Sequence, residues 1–158
     1  MKSNYPNRKP MRLPNFDYSA AYAYFVTICT DQKKPLFWTN QKQNRFGDVE
    51  EAYLRDIPNI FPNSAADCFV VMPNHVHAII QLSQSTLDSG STLSTIVGTY
   101  KSGVSRKLHR FSDANKVWQR GFYDHVIRDQ EEYLKIWNYI EENPIRWCKD
   151  ALYIDTFE

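Results

Sequence analysis

The sequence predicts an α+β fold in which one antiparallel sheet is built by a split β-α-β pattern and a further helix follows it. Three observations carry that expectation. Runs rich in aromatic and β-branched residues, the composition of strands, occur at 22–30, 68–72, 76–82 and 122–127. Between the first and second runs, and again between the third and fourth, apolar residues recur at three- and four-residue steps, as on one face of a helix. The second and third runs are parted by little more than Pro73-Asn74, a turn pair that suits a hairpin and is too short for a crossover.

Residues 1–18 are rich in Pro, Asn and Arg and read as an extended basic arm. Tyr22 to Thr30 is the first strand, expected at the centre of the sheet, and Asp31 to Asn40 is a loop carrying Phe37 and Trp38. From Asp48 to Ile60 the residues Val49, Ala52, Tyr53, Ile57 and Ile60 mark an amphipathic helix, disturbed near Pro58, whose ring cannot continue a helical ladder. Cys68 to Met72 and Val76 to Leu82 are the second and third strands, and 83–91 is a polar connection. Ser91 or Thr92 can cap a helix to about Leu108, with Leu93, Ile96, Val97, Tyr100, Val104 and Leu108 on one face. Residues 117–128 enter a fourth strand at Phe122–Ile127, and a last helix runs from Gln130 to Glu142, stopped by Pro144. The order β-α-β-β-α-β-α is the ferredoxin-like arrangement, with two helices on one face of an antiparallel sheet and an extra C-terminal helix. A single domain over 19–150 with a tail at 151–158 follows from this division.

Composition narrows the class. At 158 residues, 42% hydrophobic and 15% aromatic, the chain can bury its own core as one globular domain. No apolar run approaches a bilayer span and the first residues hold no apolar signal core, so a cytoplasmic protein without a membrane partner is expected. Three widely spaced cysteines, Cys29, Cys68 and Cys148, fit neither a disulfide framework nor a paired zinc site and read as reduced core thiols. Net charge is only +1, but its distribution is uneven. Residues 1–16 carry Lys2, Arg8, Lys9 and Arg12 with no acid, and residues 89–112 carry Lys101, Arg106, Lys107 and Arg110 with no acid. Segregated basic patches suit a polyanion, although a solvated helix face has the same look.

Two stretches carry chemistry. In Val70-Val71-Met72-Pro73-Asn74-His75-Val76-His77 the two histidines stand at i, i+2 in a strand, so both side chains point to one face. Two converging imidazoles can hold a divalent metal, or can simply hydrogen-bond at a sheet edge. In the last helix Tyr133, Ile136, Trp137 and Ile140 form a packing stripe, and Tyr139 and Asn143 are i, i+4 neighbours at its border.

Taken in order, Tyr24-Phe25-Val26-Thr27, Met72-Pro73-Asn74-His75-Val76-His77, Trp118-Gln119-Arg120-Gly121-Phe122-Tyr123-Asp124-His125 and Tyr139-Ile140-x-x-Asn143-Pro144 closely resemble the REP-associated tyrosine transposases. These are relatives of the single-tyrosine insertion-sequence transposases in the HUH endonuclease superfamily, and the resemblance runs from about Arg12 to Trp147. It implies cleavage and rejoining of single-stranded DNA by transesterification. Tyr139 would be the nucleophile, giving a 5′-phosphotyrosine and a free 3′-OH. His75 and His77 would hold one Mg²⁺ or Mn²⁺, with Asn143 as third ligand. His125 is an alternative ligand, though a structural histidine or a DNA contact is the preferred reading. Tyr123 and Tyr133 compete with Tyr139, which is favoured because Tyr133 sits in the packing stripe and Tyr123 in a strand motif.

The substrate implied is DNA with short imperfect hairpins, bound as a monomer or homodimer. Arg8, Lys9 and Arg12 of the arm and Lys101, Arg106, Lys107 and Arg110 would meet phosphates. Trp38 and Trp118, with Arg120, can stack on unpaired bases, and core packing is an equal alternative for each tryptophan. Two other readings of the same residues stand beside this one: a nucleic-acid-binding module without strand transfer, and a metal-dependent phosphodiesterase that uses water.

Overall fold

The computed structural model describes residues 22–155 apart from 63, 84–90 and 114. β1 (Ala23–Cys29) lies at the centre of a four-stranded antiparallel sheet. It is followed by a two-residue hairpin of β2 (Trp38–Thr39) and β3 (Lys42–Gln43), then by α1 (Arg45–Arg55) and the short α2 (Ile57–Ile60). β4 (Ser64–Met72) and β5 (His75–Leu82) form the hairpin about Pro73-Asn74. After α3 (Leu93–Leu108) come β6 (Tyr123–Ile127), α4 (Gln130–Glu142) and a 3-10 turn at Trp147–Lys149. The sheet order is β4-β5-β1-β6, which is the ferredoxin-like order of a split β-α-β unit.

Local chemistry sets the element ends. Asn44 caps α1 by accepting from the Phe46 and Gly47 N–H groups, so this helix begins three residues before the expected Asp48. The disturbance expected near Pro58 is a full break between α1 and α2. Thr92 caps α3 and Asp129 caps α4, each accepting from the N–H three residues on. β4 starts four residues earlier than expected, because a register shift between Ala66 and Cys68 absorbs a stretch without β-branched side chains. The loop expected at 31–40 contains β2, whose hairpin turns on Asn40 and Gln41, both at positive φ as a tight turn of this hand requires.

Strand alternation divides the sheet into two chemically different faces. Tyr24, Val26 and Ile28 of β1 and Val76, Ala78, Ile80 and Leu82 of β5 pack with Leu54 of α1 and Leu93, Ile96, Val97 and Val104 of α3. Burying each of the valine, leucine and isoleucine side chains contributes about 1.5–3 kcal/mol. On the other face Cys68, Ile79 and Ile127 pack with Ile140 of α4, flanked by Phe25, Val70, Tyr133, Ile136 and Trp137. His75 and His77 belong to this second face. Cys29, Cys68 and Cys148 are free; Cys29 and Cys68 are buried, whereas Cys148 is exposed and is not the core thiol expected. No helix among the described residues is long and apolar enough to cross a membrane.

Between α1 and α3 lies a buried acid. Glu50 is 0% exposed; one of its oxygens accepts the Tyr100 hydroxyl and the other has no partner. Burial pushes its carboxyl well above the usual carboxylate range, against a smaller lowering by the Tyr100 hydrogen bond. With the folded pKa above the unfolded one, the stability this group contributes is fully present below about pH 4.3 and is lost as pH rises through the folded value. Glu50→Gln cannot ionise, so its denaturation free energy should fall less steeply than the native protein's as pH rises. Parallel pH-stability curves for the two proteins would contradict this.

Candidate metal and tyrosine site

β5 presents His75 and His77, 0% and 4% exposed, with their Nε2 atoms 3.1 Å apart. Each ring is fixed by its other nitrogen. His75 Nδ1 lies 2.8 Å from Asn74 Oδ1, which can only accept, so Nδ1 carries the proton and Nε2 offers a lone pair. His77 Nδ1 lies 2.8 Å from Thr27 Oγ1 on β1. The 3-10 turn after α4 then brings in Asp150, whose Oδ2 is 3.7 Å from His75 Nε2 and 3.9 Å from His77 Nε2. Its Oδ1 accepts from the Leu152 N–H at 2.6 Å, while buried Oδ2 has no hydrogen-bond partner.

This donor set fits a divalent cation. Ligand atoms of the three residues all lie within 4.8 Å of one another. Two nitrogens each about 2.1 Å from one ion at right angles would lie about 3 Å apart, close to the spacing observed. Burial, then the neighbouring His77, lower the His75 pKa to about 3 against the pull of Asp150, so this imidazole stays neutral as a ligand must. For Asp150, burial raises the pKa but is outweighed by His77, the Leu152 N–H, His75 and Asn143, and the carboxyl is held well below its usual range. A cation among these groups would meet a carboxylate and at least one available lone pair, and would satisfy an oxygen the protein leaves unpaired.

Tyr139 on α4 stands over the pair, its hydroxyl 3.5 Å from His77 Nε2 and its ring edge-on to Phe25 and His77. The next residue, Ile140, is fully buried and pins the helix to the sheet, while Tyr139 is 47% exposed at the rim. Burial and the Asp150 charge raise the Tyr139 pKa, and the Asn143 side chain beside it acts in the opposite sense. Asn143, one turn on, is 4% exposed and its Oδ1 has no partner. Tyr139, His77 and Asp150 share a pocket of about 290 Å³ with Phe25, Thr27, Lys33 and Tyr123. A larger groove of about 730 Å³ is lined by Trp38, Pro73, Pro144, Trp147 and Tyr153, and the Trp147 ring also contacts His75.

The other expected residues divide sharply. Trp118 is 6% exposed, its indole N–H donating to the Lys101 carbonyl and its ring packed on Phe37 and Tyr100, so it is a core residue and not a stacking platform. Lys101 is corrected too: its ammonium donates to the Gln119 and Gly121 carbonyls at 2.8 Å and ties α3 to the loop before β6. Arg106 and Arg110 are exposed and Lys107 is half-buried near Phe111, but α3 packs on the face away from the histidines. Arg120 is exposed and borders a small pocket with Tyr123. Arg8, Lys9 and Arg12 lie outside the described residues.

His125 pairs with Glu132 and stands apart from the His75, His77 and Asp150 cluster. The Tyr133 hydroxyl donates to Asp67, and burial, then Asp67, push its pKa up to about 12. Asp150 escaped sequence reading because its partners are distant in the chain and no motif spacing links them. It stands at the boundary of the expected tail, yet residues 151–155 carry site contacts, since the Leu152 carbonyl accepts from Asn74 Nδ2 at 2.9 Å.

Comparison with known proteins gives a consistent answer. A family profile described as IS200-like transposase matches residues 19–143. An uncharacterised Haemophilus influenzae protein is 35% identical, the match covering 94% of each chain. Another protein of that organism, provisionally named a REP-associated tyrosine transposase, is 21% identical over 82% of this chain and 74% of its own. Among solved structures, a REP-associated tyrosine transposase bound to a REP hairpin shares the fold with a TM-score of 0.65 at 21% identity, covering 86% of this chain and 74% of that one. A Deinococcus radiodurans protein provisionally described as a transposase gives a TM-score of 0.55 at 15% identity over 83% and 97%.

Proposed function

The chain belongs to the IS200-like transposase family, and on that footing we propose that it is a metal-dependent endonuclease and strand transferase for single-stranded DNA bearing short palindromic hairpins. The observation that carries this reading is the Tyr139 hydroxyl 3.5 Å from His77 Nε2, above the buried His75, His77 and Asp150 donor set. In this reading those three residues hold one Mg²⁺ or Mn²⁺. Two imidazoles and a carboxylate leave positions for water and phosphate, as such ions prefer. When bound, the ion supplies Lewis-acid stabilisation of the charge that develops on the phosphate's non-bridging oxygens.

Tyr139 Oη attacks the phosphorus, the bond to the leaving 3′ oxygen breaks, and the strand remains joined to the protein as a 5′-phosphotyrosine. The covalent ester keeps the strand available for rejoining, which hydrolysis would forfeit. Asn143 positions the tyrosine hydroxyl and the Asp150 carboxylate, and its unpaired Oδ1 is an additional donor toward the same ion. The groove with Trp38, Trp147 and Tyr153 offers aromatic faces to unpaired bases, a role Trp118 cannot take. Arg120, Arg106, Lys107 and Arg110, with Arg8, Lys9 and Arg12, contact phosphates away from the reacting one.

One chain suffices for the site in this reading. Only Arg128 and Asp129 separate β6 from α4, so the short link favours docking of the tyrosine helix on its own sheet. Native protein mixed with labelled single-stranded hairpin DNA and Mn²⁺ should give a denaturation-resistant protein–DNA band that chelator removes. Mixing Tyr139→Phe with His77→Ala should not restore that band. Restoration would show a site shared between two chains. Cleavage without any band would favour the water-using phosphodiesterase, and binding with neither would leave a hairpin-binding module.

A further inference from the structure

The turn after β1 adds a cation to the Tyr139 pocket. Gln32 and Lys33 have φ of 54° and 55°, consecutive left-handed residues in a chain without glycine there. Buried polar groups maintain this turn. The Thr30 hydroxyl, on a fully buried residue, lies 2.8 Å from the Lys34 carbonyl and 3.0 Å from the Asn74 carbonyl. Asn74, also fully buried, donates from Nδ2 to the Lys33 carbonyl at 3.3 Å while its Oδ1 holds His75 Nδ1. The same amide therefore fixes the lysine's backbone and a proposed metal ligand.

Lys33 lines the pocket that contains Tyr139, His77 and Asp150, whereas its neighbour Lys34 does not. Among the described residues no carboxylate forms an ion pair with the Lys33 ammonium, although Lys116, Arg55, Lys135 and Arg146 all have such partners. Its charge is felt within the site: burial raises the pKa of the Cys29 thiol, and the Lys33 ammonium acts next, in the opposite sense. A strained turn that sets an exposed lysine without an ion-pair partner among the residues lining a pocket suits an anionic ligand.

We infer that Lys33 is a phosphate-binding residue of this pocket, its ammonium holding a non-bridging oxygen of the phosphodiester that Tyr139 attacks. The inference rests on the reading of Tyr139 as nucleophile. The phosphate gains negative charge on its non-bridging oxygens as the Oη–P bond forms, so an ammonium carried on this turn binds the transition state more strongly than the ground state.

The test compares native protein, Lys33→Ala, Lys33→Arg and Lys34→Ala on one labelled single-stranded hairpin oligonucleotide at saturating concentration. Lys33→Ala should slow adduct formation by about 10- to 100-fold, Lys33→Arg should recover most of the rate, and Lys34→Ala should stay within about twofold. Mn²⁺ affinity should be the same in all four, which a merely structural role of the turn would not preserve. In a Tyr139→Phe background, the slope of log affinity against log salt should fall by about 0.7 on removing Lys33, the loss of one phosphate contact on a single strand. Native adduct with an equal rate in Lys33→Ala overturns this inference alone. A slowed Lys33→Ala variant that has also lost Mn²⁺ affinity overturns it too, in favour of a structural turn. Absence of adduct from native protein overturns the Tyr139 reading and this inference together.

Discussion

Tyr139→Phe is expected to abolish the covalent protein–DNA adduct and to lower strand cleavage by at least about 10³-fold, with hairpin binding changed by less than about threefold. Removal of a nucleophile acting with its activating partners costs at least this much, whereas the phenyl ring keeps the contacts to Phe25 and His77. The informative control is Tyr123→Phe. Tyr123 lines the same pocket and is 52% exposed, so accessibility alone does not choose between the two phenols. Position relative to the donor set distinguishes them: the Tyr139 hydroxyl is 3.5 Å from His77 Nε2, and Ile140 beside it packs α4 on the sheet. Tyr123→Phe should therefore retain most of the native rate. Gel quantification of adduct and cleaved strand over time checks both variants, and inversion of their phenotypes would transfer the nucleophile to β6.

The second large effect concerns Asp150. Asp150→Asn preserves size and removes the one formal charge among the three proposed ligands, so Mn²⁺ affinity measured by calorimetry should fall by about 100-fold or more, with a matching demand for higher Mn²⁺ in the adduct reaction. Asn143→Ala should cost less, about 10-fold in Mn²⁺ affinity, because Asn143 borders both the carboxylate and the tyrosine. An Asp150→Asn protein with native metal affinity, beside an Asn143→Ala protein without it, would make Asn143 and not Asp150 the third ligand.

Much of the frame was legible because local and tertiary preferences agree. β1, β5 and β6 are dense in aromatic and β-branched residues, and α4 carries a cap, a packing stripe and a proline stop at its expected bounds. The first residues of β4, Ser64-Ala65-Ala66-Asp67, carry no such signal and form a strand only because β5 pairs with them. The β2–β3 hairpin was hidden for a related reason: its strands have two residues each and Asn40-Gln41 lacks the glycine that usually marks the turn.

At the site, His75 and His77 were readable as same-face neighbours, since strand alternation requires it. Asp150 was not, because its approach depends on how the chain returns after Pro144. Side-chain partners are equally silent in sequence. Lys101 belongs to a basic stretch, but its ammonium is engaged by two carbonyls, and Trp118 stands in a motif with Arg120 while its ring lies in the core.

The most direct test of the account is the identity of the residue that carries DNA. Native protein would be incubated with single-stranded hairpin DNA and Mn²⁺, digested with nuclease and protease, and its peptides mapped by mass spectrometry. A nucleotide remnant attached through its 5′ phosphate to Tyr139 is expected, and none when chelator is present from the start. A remnant on Tyr123 or on another residue, or cleaved DNA with every tyrosine-containing peptide unmodified, would contradict the account.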